Sequence, residues 1–212
     1  MELVLDTYAL PHDLDVPVVA MDEQPIQLTQ ETRKPLAVRP GDPACFDFEY
    51  ERCGTANIFM FTSPLNCWRR VAATSSRKRT DWAEQIRLLL EEDFPDARKV
   101  ILVCDNLNTH AISSLYAAFP AAHAHELARR LEIRYTPKHG SWLNVAECEL
   151  SALSRQCLGI RMGSLEDLAA RVEPWATERN ASQIGIVWQF TTADARIKLT
   201  NLYPVILKKT EY

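Results

Sequence analysis

Lys99-Val100-Ile101-Leu102-Val103-Cys104-Asp105-Asn106 is the stretch on which the fold turns. Its apolar run is nearly continuous rather than alternating, the pattern of a strand covered on both faces, and it stops abruptly at an aspartate. On its N-terminal side, Trp82, Ile86, Leu89, Leu90 and Phe94 recur at helical spacing. They predict a helix from about Thr80, with Asp81 as N-cap, Glu84 completing a capping box, and Pro95-Asp96 as the stop. On its C-terminal side, Ile112–Phe119 and Ala121–Leu131 read as helices separated by Pro120, and Glu132–Thr136 as a short strand. A buried strand set between helices implies a sheet with both faces covered.

Further toward the N-terminus, Val16–Met21 reads as a short buried strand that ends at Asp22. Residues 23–53, with Pro25, Pro35, Pro40 and Pro43, read as an irregular excursion. Ala56–Phe61 and Trp68–Thr74 read as paired strands around a turn at Pro64-Leu65-Asn66. Toward the C-terminus a helix is predicted over Leu143–Leu158, with Leu143, Ala146, Leu150, Leu153 and Cys157 on one face. Another is predicted over Leu165–Asn180, kinked or split by Pro174, then a strand at Ile184–Phe190 and a last helix capped by Thr192 with Asp194 in its first turn. Residues 1–15 read as an entry segment and 16–212 as one α/β domain, a mixed sheet flanked by helices whose order fits an RNase H-like core.

The bulk properties set limits. At 212 residues one large core is expected, and a net charge of −4 excludes a wholly basic nucleic-acid-coating protein while leaving room for a local basic groove. There is no apolar run near the ~20 residues a membrane helix needs. Met1-Glu2-Leu3-Val4-Leu5-Asp6 lacks the basic start of a signal peptide, so a cytoplasmic, membrane-free protein is expected. None of the six cysteines forms a C-x-x-C pair, which argues against a zinc ribbon and for reduced cysteines packed as small hydrophobes.

Three acids stand out by position: Asp22 after the first strand, Asp105 after the buried one, and a glutamate early in the helix that follows Ser141-Trp142-Leu143-Asn144. If those two strands are neighbours, the aspartates sit side by side, and a helix packed across them can deliver a third carboxylate. Hard divalent cations take such oxygen ligands, and magnesium binds few carboxylates plus phosphates. An aspartate after a strand is equally an ordinary turn or capping residue. At ~100° per residue, Glu147 and Glu149 lie about equally far from the centre of the apolar face, and helical geometry does not choose between them.

Met21-Asp22-Glu23, Val103-Cys104-Asp105-Asn106-Leu107-Asn108-Thr109-His110 and Tyr135-Thr136-Pro137-Lys138-His139-Gly140-Ser141-Trp142-Leu143-Asn144-Val145-Ala146-Glu147 together resemble the catalytic core of bacterial insertion-sequence transposases, the mariner-related branch of the DDE superfamily. Trp188–Arg196 is similar to the same group, so the resemblance runs from about residue 16 to the end. It implies an RNase H-like fold, Asp22, Asp105 and Glu147 as catalytic and metal-binding acids, and Mg²⁺ (or Mn²⁺) as cofactor. The implied activity is DNA phosphodiester cleavage and strand transfer in transposition, by a homo-oligomer assembled on DNA. Asp105 and Glu147 are 42 positions apart, wider than is common in the group, and the alanine-rich helical stretch around Pro120–Arg130 accounts for the extra length. The group normally carries an N-terminal helix-turn-helix region. This chain starts almost at the core and reads as a truncated copy or as one half of a split enzyme with a separate upstream helix-turn-helix polypeptide. A nuclease that only hydrolyses and a non-catalytic remnant that binds DNA or a partner transposase are the rival readings.

Smaller expectations attach to other residues. Asn106 either orients Asp105 or a metal water, or forms the turn. His110 is expected to cap the next helix or lie on the surface rather than touch the site. His123 and His125, two apart on a helix, face different ways and make no metal site. Trp142 is read as a packing anchor. DNA contact is expected of Lys138, beside the acids, and of Arg77-Lys78-Arg79, in a loop before a helix.

Overall fold

A computed structural model describes residues 1–33, 40–41, 47–138 and 140–203. Five strands form one mixed sheet: β1 Val18–Glu31, β2 Tyr50–Ser63, β3 Trp68–Thr74, β4 Val100–Cys104 and β5 Leu131–Tyr135, in the order β3-β2-β1-β4-β5. The first three pair antiparallel, while β4 runs parallel to β1 and to β5. The helices are α1 Glu2–Tyr8, α2 Arg79–Leu88, α3 Ile112–Ala118, α4 Ala121–Arg130, α5 Ala146–Cys157, α6 Leu165–Ala181 and α7 Thr192–Lys198.

Side-chain alternation sorts the core into two layers. Val18, Ala20, Ile58, Met60, Ile101 and Val103 pack against α1, α5, α6 and α7 through Val4, Leu5, Leu150, Leu153, Leu168, Val172 and Ala195. Val19, Met21, Phe59, Phe61, Leu102 and Cys104 pack on the other face against Trp82, Ile86, Leu115 and Leu127 of α2, α3 and α4. Every residue of β4 is buried, as its unbroken apolar run requires.

The first strand does not end at Asp22. Antiparallel pairing with β2 carries it on to Glu31, past a bulge at Leu28/Thr29 opposite Gly54, whose φ of 105° is a conformation glycine adopts readily. Pro25 is tolerated because β4 has already ended, leaving β1 one neighbour there. Residues 23–31 and 50–53 of the expected irregular excursion are therefore strand. Its residues 34–39 and 42–46, with Pro35 and Pro43, lie outside the described residues.

Other expectations are corrected at the level of caps and breaks. Lys78, not Asp81, is the N-cap of α2, and Asp81 is the third helical residue, accepting from the Lys78 backbone N–H at 2.7 Å. Glu84 pairs with Arg87 instead of the cap. Likewise α7 is capped by Thr191, with Asp194 closing the box. Pro174 does not split α6, which runs as one element from Leu165 to Ala181; Pro174 and Ala170, whose carbonyl loses its helical donor, are both exposed. Ile184–Phe190 forms no strand. At the edge strand β3, the Asn180 side chain takes both the Arg69 N–H (2.9 Å) and the Arg69 carbonyl (2.8 Å). Residues 1–15 include α1, whose Val4 and Leu5 are buried in the main core. Cys104 and Cys157 pack as small hydrophobes, but Cys148 is exposed and Cys53 and Cys67 are half-buried. No helix among the described residues is long and apolar enough to cross a membrane.

Candidate active site

The parallel pairing of β1 with β4 sets Val18 opposite Ile101, Val19 opposite Leu102 and Ala20 opposite Val103. Asp22 and Asp105 each follow two residues after that last pair, and the charge of Asp105 acts on Asp22. Asp22 continues the alternation of Ala20 and so faces the layer occupied by α5, while Asp105 follows the end of β4 and turns one oxygen to His110 on the side of Trp82. Asp105 also lies just past the carboxyl end of a parallel strand, where ligand sites of open α/β sheets gather.

The start of α5 is tied down over this spot. Asn144 donates its side-chain amide to the Met21 carbonyl at 2.8 Å, next to Asp22, while its Oδ1 accepts from the Ala146 N–H at 3.2 Å. The Tyr8 hydroxyl accepts from the Val145 N–H at 3.2 Å, so α1 braces the same turn. These bonds are why the expected helix over Leu143–Leu158 divides: Ser141–Leu143 is a short 3-10 turn, Asn144 is extended, and α5 starts at Ala146 with Glu147 in its first turn. Glu147 is half-buried, and its side chain makes no hydrogen bond or ion pair to the described residues. Glu149 is committed elsewhere. Its carboxylate, 1% exposed, lies 3.1 Å from Arg69 Nε and 3.0 Å from Arg179 Nη2.

Electrostatics link the three acids. Burial pushes the Asp22 carboxyl up to about 6, the negative charges of Glu147, Asp105 and Glu23 add to the rise, and the Glu23 backbone N–H at 2.8 Å opposes it. The acids are not drawn into a closed cluster: among the described residues no group of three or more His, Cys, Asp or Glu side chains is arranged to hold a metal ion. Asp105 is instead engaged on one side by His110, whose Nδ1 stands 2.5 Å from Asp105 Oδ1.

His110 is the main surprise. It is neither a helix cap nor a surface residue; its side chain is 1% exposed, and its Nε2 lies 2.9 Å from Glu23 Oε1. Burial disfavours the charged ring, yet hydrogen bonds to Asp105, Cys104 and Glu23 outweigh it and raise the pKa to about 11. Trp82 stacks on the imidazole with centroids 5.7 Å apart. Asn106 is exposed and makes no hydrogen bond to Asp105 among the described residues, so the bond that the sequence reading offered to Asn106 is made by His110. Two weak signals were available. Glu23 is adjacent to Asp22 and, by strand alternation, on the opposite face. Asn106-Leu107-Asn108-Thr109 is a turn-forming run, and the bond from His110 N–H to the Leu107 carbonyl, 2.9 Å, folds the chain back beneath Asp105.

A family described as "DDE superfamily endonuclease" matches residues 17–169. The chain belongs to that family. Among solved structures this DDE domain is similar to the Mos1 mariner paired-end complex with Mn, with a TM-score of 0.56 and 19% identity over 86% of this chain and 55% of that one. It is also similar to the Mos1 strand transfer complex, with a TM-score of 0.57 and 17% identity over 86% of this chain and 54% of that one. A pre-cleavage Mos1 transpososome gives a TM-score of 0.50 at 17% identity, covering 89% and 61%. At these identities the likeness establishes the RNase H-like fold, and the DDE domain spans little more than half the length of the Mos1 chains. No curated protein matches it.

The donor set of the DDE domain suits a hard divalent cation. Asp22, Asp105 and Glu147 offer oxygens only, and the Asp22 carboxyl, raised first by burial and then by the neighbouring negative charges, is one whose charged form a cation would favour. Arg77, exposed, lies with its Nη1 3.7 Å from Glu23 Oε2. Lys78 and Arg79 are exposed at the start of α2, and Lys138 is exposed on the connection from β5 to α5. Trp142, read as a packing anchor, meets Phe190 edge-on at 5.7 Å yet stays 42% exposed. A 470 Å³ groove lined by Thr7, Tyr8, Cys67, Gln183 and Trp188 among others contains none of the three acids.

Proposed function

We propose that this chain is the catalytic domain of a transposase that cleaves DNA phosphodiesters and joins the freed strand to target DNA, with Mg²⁺ or Mn²⁺ as cofactor. One observation carries the reading: the β1–β4 pairing, which ends at Ala20 and Val103, leads two residues on to Asp22 and Asp105, and Asp22 feels the charges of both Asp105 and Glu147, the latter at the start of α5 with no ion-pair partner among the described residues. When bound, a divalent metal supplies Lewis-acid stabilisation of the charge that develops at the scissile phosphate. Asp22, Asp105 and Glu147 would hold it, at the carboxyl end of β4. Lys138 and Arg77-Lys78-Arg79 would bind the DNA backbone, fixing its path without reading sequence. The working form would be a homo-oligomer on paired element ends, with end recognition supplied by a helix-turn-helix region, fused or separate, and residues 16–212 would be the catalytic unit.

The test is nicking and strand transfer on DNA carrying element ends, with Mg²⁺, Mn²⁺ or EDTA, using the wild-type chain and Asp105→Asn. Metal-dependent nicking followed by joined product supports the reading. Nicking without joining makes the protein a hydrolytic nuclease. Metal-independent nicking, or nicking that survives Asp105→Asn, rejects these acids.

A further inference from the structure

We propose that His110 and Glu23 are positioning residues for Asp105: a buried carboxylate–imidazole–carboxylate chain that fixes one oxygen of Asp105 and leaves the other free to bind metal. This deepens the reading above and rests on it.

The chain crosses the sheet edge. Glu23, one residue after Asp22 on β1, points to the opposite face, so it does not join the acids as a fourth ligand. There its carboxylate, 2% exposed, lies 2.9 Å from His110 Nε2, and the other ring nitrogen lies 2.5 Å from Asp105 Oδ1. Both imidazole nitrogens therefore lie within hydrogen-bond distance of carboxylates, one on β1 and one just after β4, and an ionised carboxylate can only accept.

The ring has little freedom to be anywhere else. Trp82 stacks on it at 26° between planes, the Tyr135 hydroxyl donates to the His110 carbonyl at 2.7 Å, and the His110 N–H reaches the Leu107 carbonyl at 2.9 Å. Asp105 itself is 39% exposed, and its Oδ2 makes no hydrogen bond among the described residues. The outcome is one clamped oxygen and one open oxygen on the acid that ends β4.

Stability alone does not explain the arrangement. Taking two carboxylates and an imidazole out of water is costly, and well-packed apolar side chains of similar volume usually serve the fold as well or better. Among the described residues Glu23 Oε2 is even left buried without a hydrogen-bond partner, with Arg77 Nη1 3.7 Å away. What the chain does accomplish is orientation of a ligand carboxylate, the role that hydrogen-bonded partners play behind metal ligands in general.

The experiment is Mn²⁺ titration by calorimetry on the full chain, with thermal melts on the same samples. Asp105→Asn tests the underlying reading and should abolish binding. His110→Gln places its amide near the Nε2 position, keeping a donor for Glu23 but not for Asp105. His110→Asn places its amide near Nδ1, keeping the donor for Asp105. We expect His110→Gln to weaken Mn²⁺ binding about 10- to 100-fold and His110→Asn to restore most of that loss. Glu23→Gln, nearly isosteric, should weaken it about threefold to tenfold.

Wild-type affinity in His110→Gln, in a chain where Asp105→Asn abolishes binding, overturns the proposal and leaves the reading of the acids standing. Equal losses in the two His110 variants, tracking their melting temperatures, also overturn it, because packing would then be the whole effect. Should neither His110 variant fold, unchanged affinity in Glu23→Gln overturns it and a loss supports it. A wild-type chain that binds no Mn²⁺ overturns both.

Discussion

Glu147 and Glu149 sit two residues apart in the first turn of α5, and the structure treats them in opposite ways. Glu149 is enclosed, with Arg69 Nε 3.1 Å and Arg179 Nη2 3.0 Å from its oxygens. Glu147 has no ion-pair partner among the described residues, and its charge helps to raise the Asp22 pKa. Burial lowers the Arg69 pKa while Glu149 works to hold it up, so here each charge is the other's solvent. The lesson is about compensation. A buried acid matched by cations ties α5 to β3 and α6 and belongs to the fold. An acid left unmatched beside two other acids is a standing electrostatic cost, which is what a metal site looks like from the protein's side.

Variants of the two glutamates can break or sharpen this contrast. The largest effect should fall on chemistry: Glu147→Gln and Asp105→Asn should each lower metal-dependent cleavage on the order of 10³-fold or more, in a strand-nicking assay, with the fold intact by circular dichroism. Equal activity in Glu147→Gln would erase the functional side of the comparison. Glu149→Gln should act on stability instead. It strands Arg69, itself buried, beside a second guanidinium, and unfolding should become easier by about 3–5 kcal/mol, readable in a urea melt. Its response to metal should stay.

Next in size is the metal itself. Mg²⁺ or Mn²⁺ at about 100 times its dissociation constant should stabilise the wild-type chain by about 2.7 kcal/mol, and Asp105→Asn should lose most of that shift. A full shift in this variant would locate the stabilising site elsewhere.

The smallest effect is the pH dependence of the metal-free chain. Asp22 has a folded pKa of about 6 against 3.8 for the ordinary value, so between those limits the native state binds more protons than the unfolded one. This contribution to stability is greatest at acid pH and falls as pH rises toward 6. After discounting for solvent screening it amounts to roughly 1 kcal/mol. Asp22→Asn should remove that slope and, without metal, melt higher than wild type at neutral pH. Carboxyl NMR should show the Asp22 pKa dropping in Glu147→Gln and holding in Glu149→Gln; the reverse result would exchange the roles of the two glutamates.

Much of the architecture was legible because it is written in local pattern. The unbroken apolar run of β4 and the Pro120 break between α3 and α4 stand within a residue or two of expectation, and the helical spacing from Trp82 to Leu90 starts where expected, although α2 ends at Leu88 and Leu89–Asp93 winds as a π turn. Errors gathered where a partner distant in sequence decides the outcome. β1 runs to Glu31 because β2 pairs with it, and Ile184–Phe190 joins no strand, while Asn180 takes the N–H and carbonyl of Arg69 on the edge strand β3. Helical phase left Glu147 and Glu149 equivalent, and it took Arg69 and Arg179, contributed by β3 and α6, to separate them.

By itself the sequence determined most of the strands and helices, though not α1 or the fate of Ile184–Phe190, together with the two-sided burial of β4 and the three acids at its motifs, since periodicity and turn chemistry act over a few residues. Only the tertiary structure decided which acids are compensated, that His110 lies buried between Asp105 and Glu23, and that Asn144 pins α5 over Asp22. Those outcomes depend on hydrogen bonds and charges meeting across separations of 87 and 123 residues, and no local rule governs which distant groups arrive to make them.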